Sequence, residues 1–126
     1  MNEVTSEWVS KAEEDFYSAD MLLHTGEVPM AGTASFHCQQ CAEKYLKAYL
    51  ASKGEVSPRA HDLLQLLDLC LVQDPSIAAL MPAASRLNSY SVALRYPGGF
   101  ATEAEAREAL ASLETLRDAM RGRLGL

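Results

Sequence analysis

No stretch of this 126-residue chain approaches the ~20 consecutive apolar residues that a membrane span requires. The opening Met-Asn-Glu-Val-Thr-Ser-Glu has neither a basic start nor an apolar run. A cytoplasmic, soluble protein that does not engage membranes is therefore expected. Cysteine is scarce and odd in number, three in a chain large enough to fold without staples, which suits reduced thiols better than a disulfide framework. Glycine-rich phosphate loops are missing, since Gly98-Gly99 is too short and follows a helical pattern rather than a strand. There is no alternating strand pattern, no internal repeat and no polar low-complexity linker, so residues 1–126 are expected to form one domain. Positive charge is also short: eleven Lys and Arg against seventeen Asp and Glu leave a net charge of -6, which opposes passive capture of a nucleic-acid backbone.

The acids are unevenly spread. Residues 1–29 carry Glu3, Glu7, Glu13, Glu14, Asp15, Asp20 and Glu27 against Lys11 alone, whereas residues 38–61 carry Lys44, Lys47, Lys53 and Arg59 against Glu43 and Glu55. An anion site belongs in the second region. That region contains the strongest helical pattern, from about Met30 to Lys53, stopped by Gly54. Ala34, Cys38, Cys41, Ala42, Tyr45, Leu46 and Tyr49 share one arc, and His37, Gln40, Lys44 and Lys47 form a stripe on the other, with Phe36 and Glu43 beside it. Such a stripe is either a solvated face or one covered by a ligand or a second chain.

The remaining elements also read as helices. Trp8, Ala12, Phe16, Ala19, Leu22 and Leu23 repeat at helical spacing from Ser6 to His24, with Thr5 or Ser6 as N-cap, and Gly26 and Pro29 stop the pattern. His61 to Val72 reads as a short helix whose N-terminal amides are available to an anion, with His61 either a surface cap or a ligand. Asp74-Pro75-Ser76 opens a helix that Pro82 must kink or restart, and Arg95-Tyr96-Pro97-Gly98-Gly99 ends it, Arg95 being either a dipole partner or a site residue. Thr102 and Glu105 form a capping box before a long stripe from Ala106 to Leu124. The fold class is all-α, an antiparallel up-and-down bundle of about five helices.

Asp15 does not fit its place, because it projects into the apolar arc of the first helix between Trp8, Ala19 and Leu22. It must find a cation or hydroxyl, or line a cleft. Cys38-Gln-Gln-Cys41 has the spacing of a redox or zinc pair, but both thiols lie on the apolar face inside a helix and no second pair follows; core packing is the expectation, with no metal and no cofactor.

Asp15, then Gln39-Gln40-Cys41-Ala42-Glu43-Lys44-Tyr45-Leu46-Lys47-Ala48, then His61-Asp62-Leu63-Leu64, then Arg95-Tyr96-Pro97 closely resemble the HEPN family, the higher-eukaryote and prokaryote nucleotide-binding domain, over residues 6–124. The resemblance implies a helical bundle that commonly forms a homodimer and is often encoded beside a minimal nucleotidyltransferase, as a toxin-antitoxin pair. Many members are metal-independent ribonucleases marked by an arginine with a histidine shortly after it near the end of the bundle. Neither Arg86 nor Arg95 has one, and no histidine follows His61. That departure favours nucleotide or RNA binding over cleavage. The expected binding residues are Asp15 as organiser, paired with Arg95, then Gln40, Lys44, Lys47 and Arg95 with the helix start at His61 for phosphate, and Tyr96 for a base. The cleft would lie between the first, second and fourth helices. The competing readings are a ribonuclease using His37 or His61 as acid or base, and a structural subunit that dimerises through a Phe36, Gln40 and Lys47 ridge.

Overall fold

The computed structural model describes residues 1–24, 30–90, 97 and 101–126. Five α-helices and one 3-10 helix make up the regular elements among them: α1 (Glu3–His24), α2 (Ala31–Ser52), α3 (Leu63–Gln73), a 3-10 helix (Pro75–Leu80), α4 (Met81–Asn88) and α5 (Glu103–Arg123). No strand occurs among the described residues, and no helix there is long and apolar enough to cross a membrane.

Helix α2 is the axis of the bundle. Thirteen of its 22 residues are buried, because α1, α5, α3 and α4 all pack on it, α1 most extensively. A helix surrounded on several sides needs an apolar surface wider than a single stripe, and Cys38, Cys41, Ala42, Tyr45, Leu46, Tyr49 and Leu50 supply it. The small residues Ala12, Ala19, Ala34 and Ala42 are fully buried and let α1 approach α2 closely. α1 runs antiparallel to α2: the Asn2 side-chain amide at its start donates to the Ala51 carbonyl near the end of α2, 3.1 Å away. α5 runs antiparallel to α1 in turn, with Arg107 bonded to the Leu23 carbonyl and Arg117 to Glu13.

Local signals account for most of the boundaries. Gly54 adopts φ +75, the left-handed conformation that ends α2. Pro82 lies in the first turn of α4, where its missing N–H costs nothing, so the pattern from Asp74 onward splits into a 3-10 helix and a new α-helix. α1 begins earlier than expected: the carboxamide oxygen of Asn2, not Thr5 or Ser6, caps it by accepting from the Thr5 amide at 2.8 Å. The expected helix end at Arg95 and Tyr96, and the Gly26 and Pro29 stop signals, lie outside the described residues.

Thr102 and Glu105 form both bonds of the capping box at 3.1 Å. Replacing Thr102 with Ala should cost about 1 kcal/mol of unfolding free energy, read as a lower urea midpoint with an unchanged slope. An unchanged midpoint would mean that α5 is held by its packing alone.

Candidate functional site

Asp15 is the polar residue at the seam of α1 and α2. Its side chain is only 10% exposed, and burial of an unpaired carboxylate there would cost several kcal/mol. Two groups from α2 prevent that: Lys44 Nζ bonds to Oδ2, and His37 Nδ1 bonds to Oδ1 at 2.7 Å. An ionised carboxylate only accepts, so the Nδ1 of His37 carries the proton. The first-helix misfit is thus resolved by a lysine and an imidazole seven residues apart, two turns of one helix face.

A second node of the same composition lies further along α2. Glu43 is buried, with Oε2 accepting from Lys47 at 3.2 Å and Oε1 from His61 Nδ1 at 3.0 Å. Gln39 Nε2 donates to the His61 carbonyl at 3.0 Å, and Gln40 Nε2 to Gln39 Oε1 at 2.7 Å, so His61 is held by both backbone and ring. Trp8 covers Lys47, whose ammonium sits 5.4 Å from the ring centroid. Lys47 is therefore buried, which corrects the expectation of an open stripe from His37 to Lys47. The solvent-facing parts are Gln40, the outer side of His37 and Lys44, and the His61 ring, which is 71% exposed.

Gln40, Lys44 and Lys47 thus lie on one face of α2, Asp15 of α1 bonds to His37 and Lys44, and His61 bonds to Gln39 and Glu43. Arg95 and Tyr96, and with them the expected Asp15–Arg95 pair, lie outside the described residues. One further expectation is corrected. His61 precedes α3 rather than opening it, and the helix's first amides are already taken: Asn88 Oδ1 accepts from Leu63 N at 2.9 Å and Asp62 Oδ1 from Leu64 N at 2.9 Å. These two amides are not open to an incoming anion. The face is also electrically balanced, since two lysines answer two buried carboxylates.

The thiols are core. All three cysteines are buried and free, and burial pushes Cys38 and Cys70 up to about 12, so neither is a thiolate at neutral pH. No cluster of three or more metal-ligating side chains exists among the described residues.

The family model described as HEPN domain matches residues 5–123. The chain belongs to the HEPN domain family. It is similar to the crystal structure of TT1696 from Thermus thermophilus, with a TM-score of 0.81 and 28% identity over 97% of this chain and 98% of that one. It is also similar to the crystal structure of ST0689, an archaeal HEPN homologue, with a TM-score of 0.73 and 27% identity over 98% of each chain. No curated protein matches it.

This HEPN domain carries a third polar network that sequence reading missed. Glu13 of α1 accepts from Arg117 at 2.6 and 2.8 Å and from Arg121 at 2.9 Å, and Arg121 also donates to the Tyr45 hydroxyl at 3.0 Å. The Arg117 guanidinium lies 4.0 Å from the Phe16 ring centroid. More than a hundred residues separate Glu13 from its arginines, so no local spacing announces the contact. Glu43 was within reach of sequence reasoning, because its spacing to Lys47 is the helical i, i+4 pair.

Partial burial opposes ionisation of Glu13, but the bonds from Arg117 and Tyr45 and the charges of both arginines outweigh it and hold the carboxyl below its ordinary 4.5. A lowered folded-state value adds stability that is complete above the unfolded value and is lost as pH falls through the folded one. Glu13→Gln should therefore destabilise the domain by about 1–2 kcal/mol at pH 7, allowing for solvent screening. The gap between wild type and variant in urea unfolding should close as pH drops below 4.5. A gap independent of pH would assign the loss to packing.

Proposed function

We propose that this HEPN-domain protein binds the phosphate of a nucleotide or RNA along the polar face of α2. Gln40, Lys44 and His61 make the contacts, Asp15 and the buried Lys47 hold them in position, and Arg95 and Tyr96 complete the site. The observation that carries this reading is the doubled node: each of two buried carboxylates holds one lysine of α2 and one imidazole. Well-packed apolar residues would serve stability at least as well as a buried ion pair. Two such pairs side by side favour a site whose donors are held in place before the ligand arrives.

The protein acts as a homodimer and pairs with a minimal nucleotidyltransferase in a toxin-antitoxin-like system. Exposed Val4, Val56, Leu69 and Val72 support self-association, Val56 being 95% and Val72 80% exposed. The nucleotidyltransferase pairing rests on family membership.

Calorimetric titration with AMP, ADP, ATP and a short RNA should show binding that Lys44→Ala and Gln40→Ala each weaken about tenfold, the loss of one charge-assisted or well-placed hydrogen bond. Equal affinities in wild type and both variants would remove the α2 face from the account. Light scattering should give twice the chain mass, with Val72→Glu shifting the equilibrium to monomer; a wild-type monomer would refute the dimer.

A further inference from the structure

Arg86 of α4 and Glu108 of α5 bring opposite charges to one groove, yet they do not pair with each other. The groove, about 400 Å³, is lined by Arg86, Glu108, Ala111, Ser112 and Thr115. The last four recur at three and four along α5, one stripe of that helix beside α4. The arginines of α5 provide the contrast, since Arg107, Arg117, Arg121 and Arg123 each hold a carboxylate. The Arg86 side chain holds none among the described residues, and its one bond there runs from Nη1 to the Ser112 hydroxyl at 3.2 Å. Glu108 likewise accepts no hydrogen bond and meets no cation within 4.0 Å among the described residues.

The two hydroxyls of the groove differ in kind. Ser112 is only 4% exposed, and its oxygen accepts from Arg86, but its proton goes to no group among the described residues. A helical hydroxyl commonly returns that proton to the carbonyl four residues back, as Thr115 does to Ala111 at 3.3 Å. The Ser112 O–H and the unspent N–H groups of Arg86 therefore meet as donors at one point, and the buried oxygen fixes where the guanidinium fork sits. One turn away, about 6 Å along α5, the Glu108 carboxylate offers acceptors alone. A simple anion would meet Glu108, and a simple cation would meet Arg86. A ligand with a negative and a positive end a few bonds apart satisfies both, in a groove whose formal charges already cancel.

We propose that the α4–α5 groove binds a free α-amino acid as its zwitterion. The carboxylate takes the Arg86 fork and the Ser112 proton, and the ammonium donates to Glu108. Ala111, small and exposed, leaves room for the side chain. The site shares no residue with the α2 face, so it stands or falls separately from the phosphate reading.

NMR titration of the nitrogen-labelled full chain at pH 7 tests this, with L-serine, L-glutamine and L-leucine as probes. At least one of them should move the Arg86 Nε–H and the Ala111 and Ser112 amide signals at millimolar concentration. The amide and the N-acetyl form of that amino acid each lack one charged end, and each should bind about tenfold more weakly. Arg86→Gln and Glu108→Gln should each weaken the parent amino acid by about the same factor. The decisive result is crossed: Arg86→Gln should lose the preference over the amide, and Glu108→Gln the preference over the N-acetyl form, a pattern that a general loss of structure does not produce. Groove signals that stay still with all three amino acids would overturn the proposal. So would equal binding of parent, amide and N-acetyl forms, or AMP moving the same signals more strongly than any amino acid does.

Discussion

Removing the Asp15 carboxylate from water is the constraint to which the rest of this bundle responds. An unpaired carboxylate at the α1–α2 seam would cost several kcal/mol, a large part of the stability of a domain this size. The cost is met only when α1 lies at one height on α2, with Asp15 between His37 and Lys44. Apolar contact between two helices tolerates sliding by a turn, whereas a buried ion does not. Bonds at the ends of α1 agree with that register: Asn2 reaches Ala51 at one end, and Arg107 reaches Leu23 at the other. Fixing α1 in this way also brings Trp8 over Lys47 and Glu13 onto Arg117.

The same pairing limits the chemistry of the face. A lysine bound to a buried carboxylate is no longer a free positive charge, and both lysines of α2 on this face are so bound. Counting cations between residues 38 and 61 therefore overstates the anion affinity of the region. What the face offers instead is position: an amide at Gln40, two imidazoles of known orientation, and lysines whose side chains have already surrendered their freedom to folding.

Much of the architecture was legible from local pattern, because helix periodicity, the Thr102 capping box, the Pro82 restart and the Gly54 stop each act over a few residues. Asp15 was legible as a misfit, since a charge on an apolar arc demands a partner, although the partner itself was not. Other features were hidden for a physical reason. Lys47 is polar by composition, yet its aliphatic stem lets it pack under Trp8 while its ammonium stays paired. The amides at the start of α3 were free in sequence terms, and Asn88, twenty-five residues away, fills one of them. Glu13 and its arginines are separated by most of the chain, a distance over which pattern carries no information.

Each of the three histidines is held through Nδ1 by a carboxylate. All three lie at or before position 61, and two of them have their rings oriented by buried acids. A histidine on a terminal loop would be free to adjust to whatever substrate arrived. One clamped through Nδ1 cannot, and its remaining nitrogen is aimed before any ligand is present.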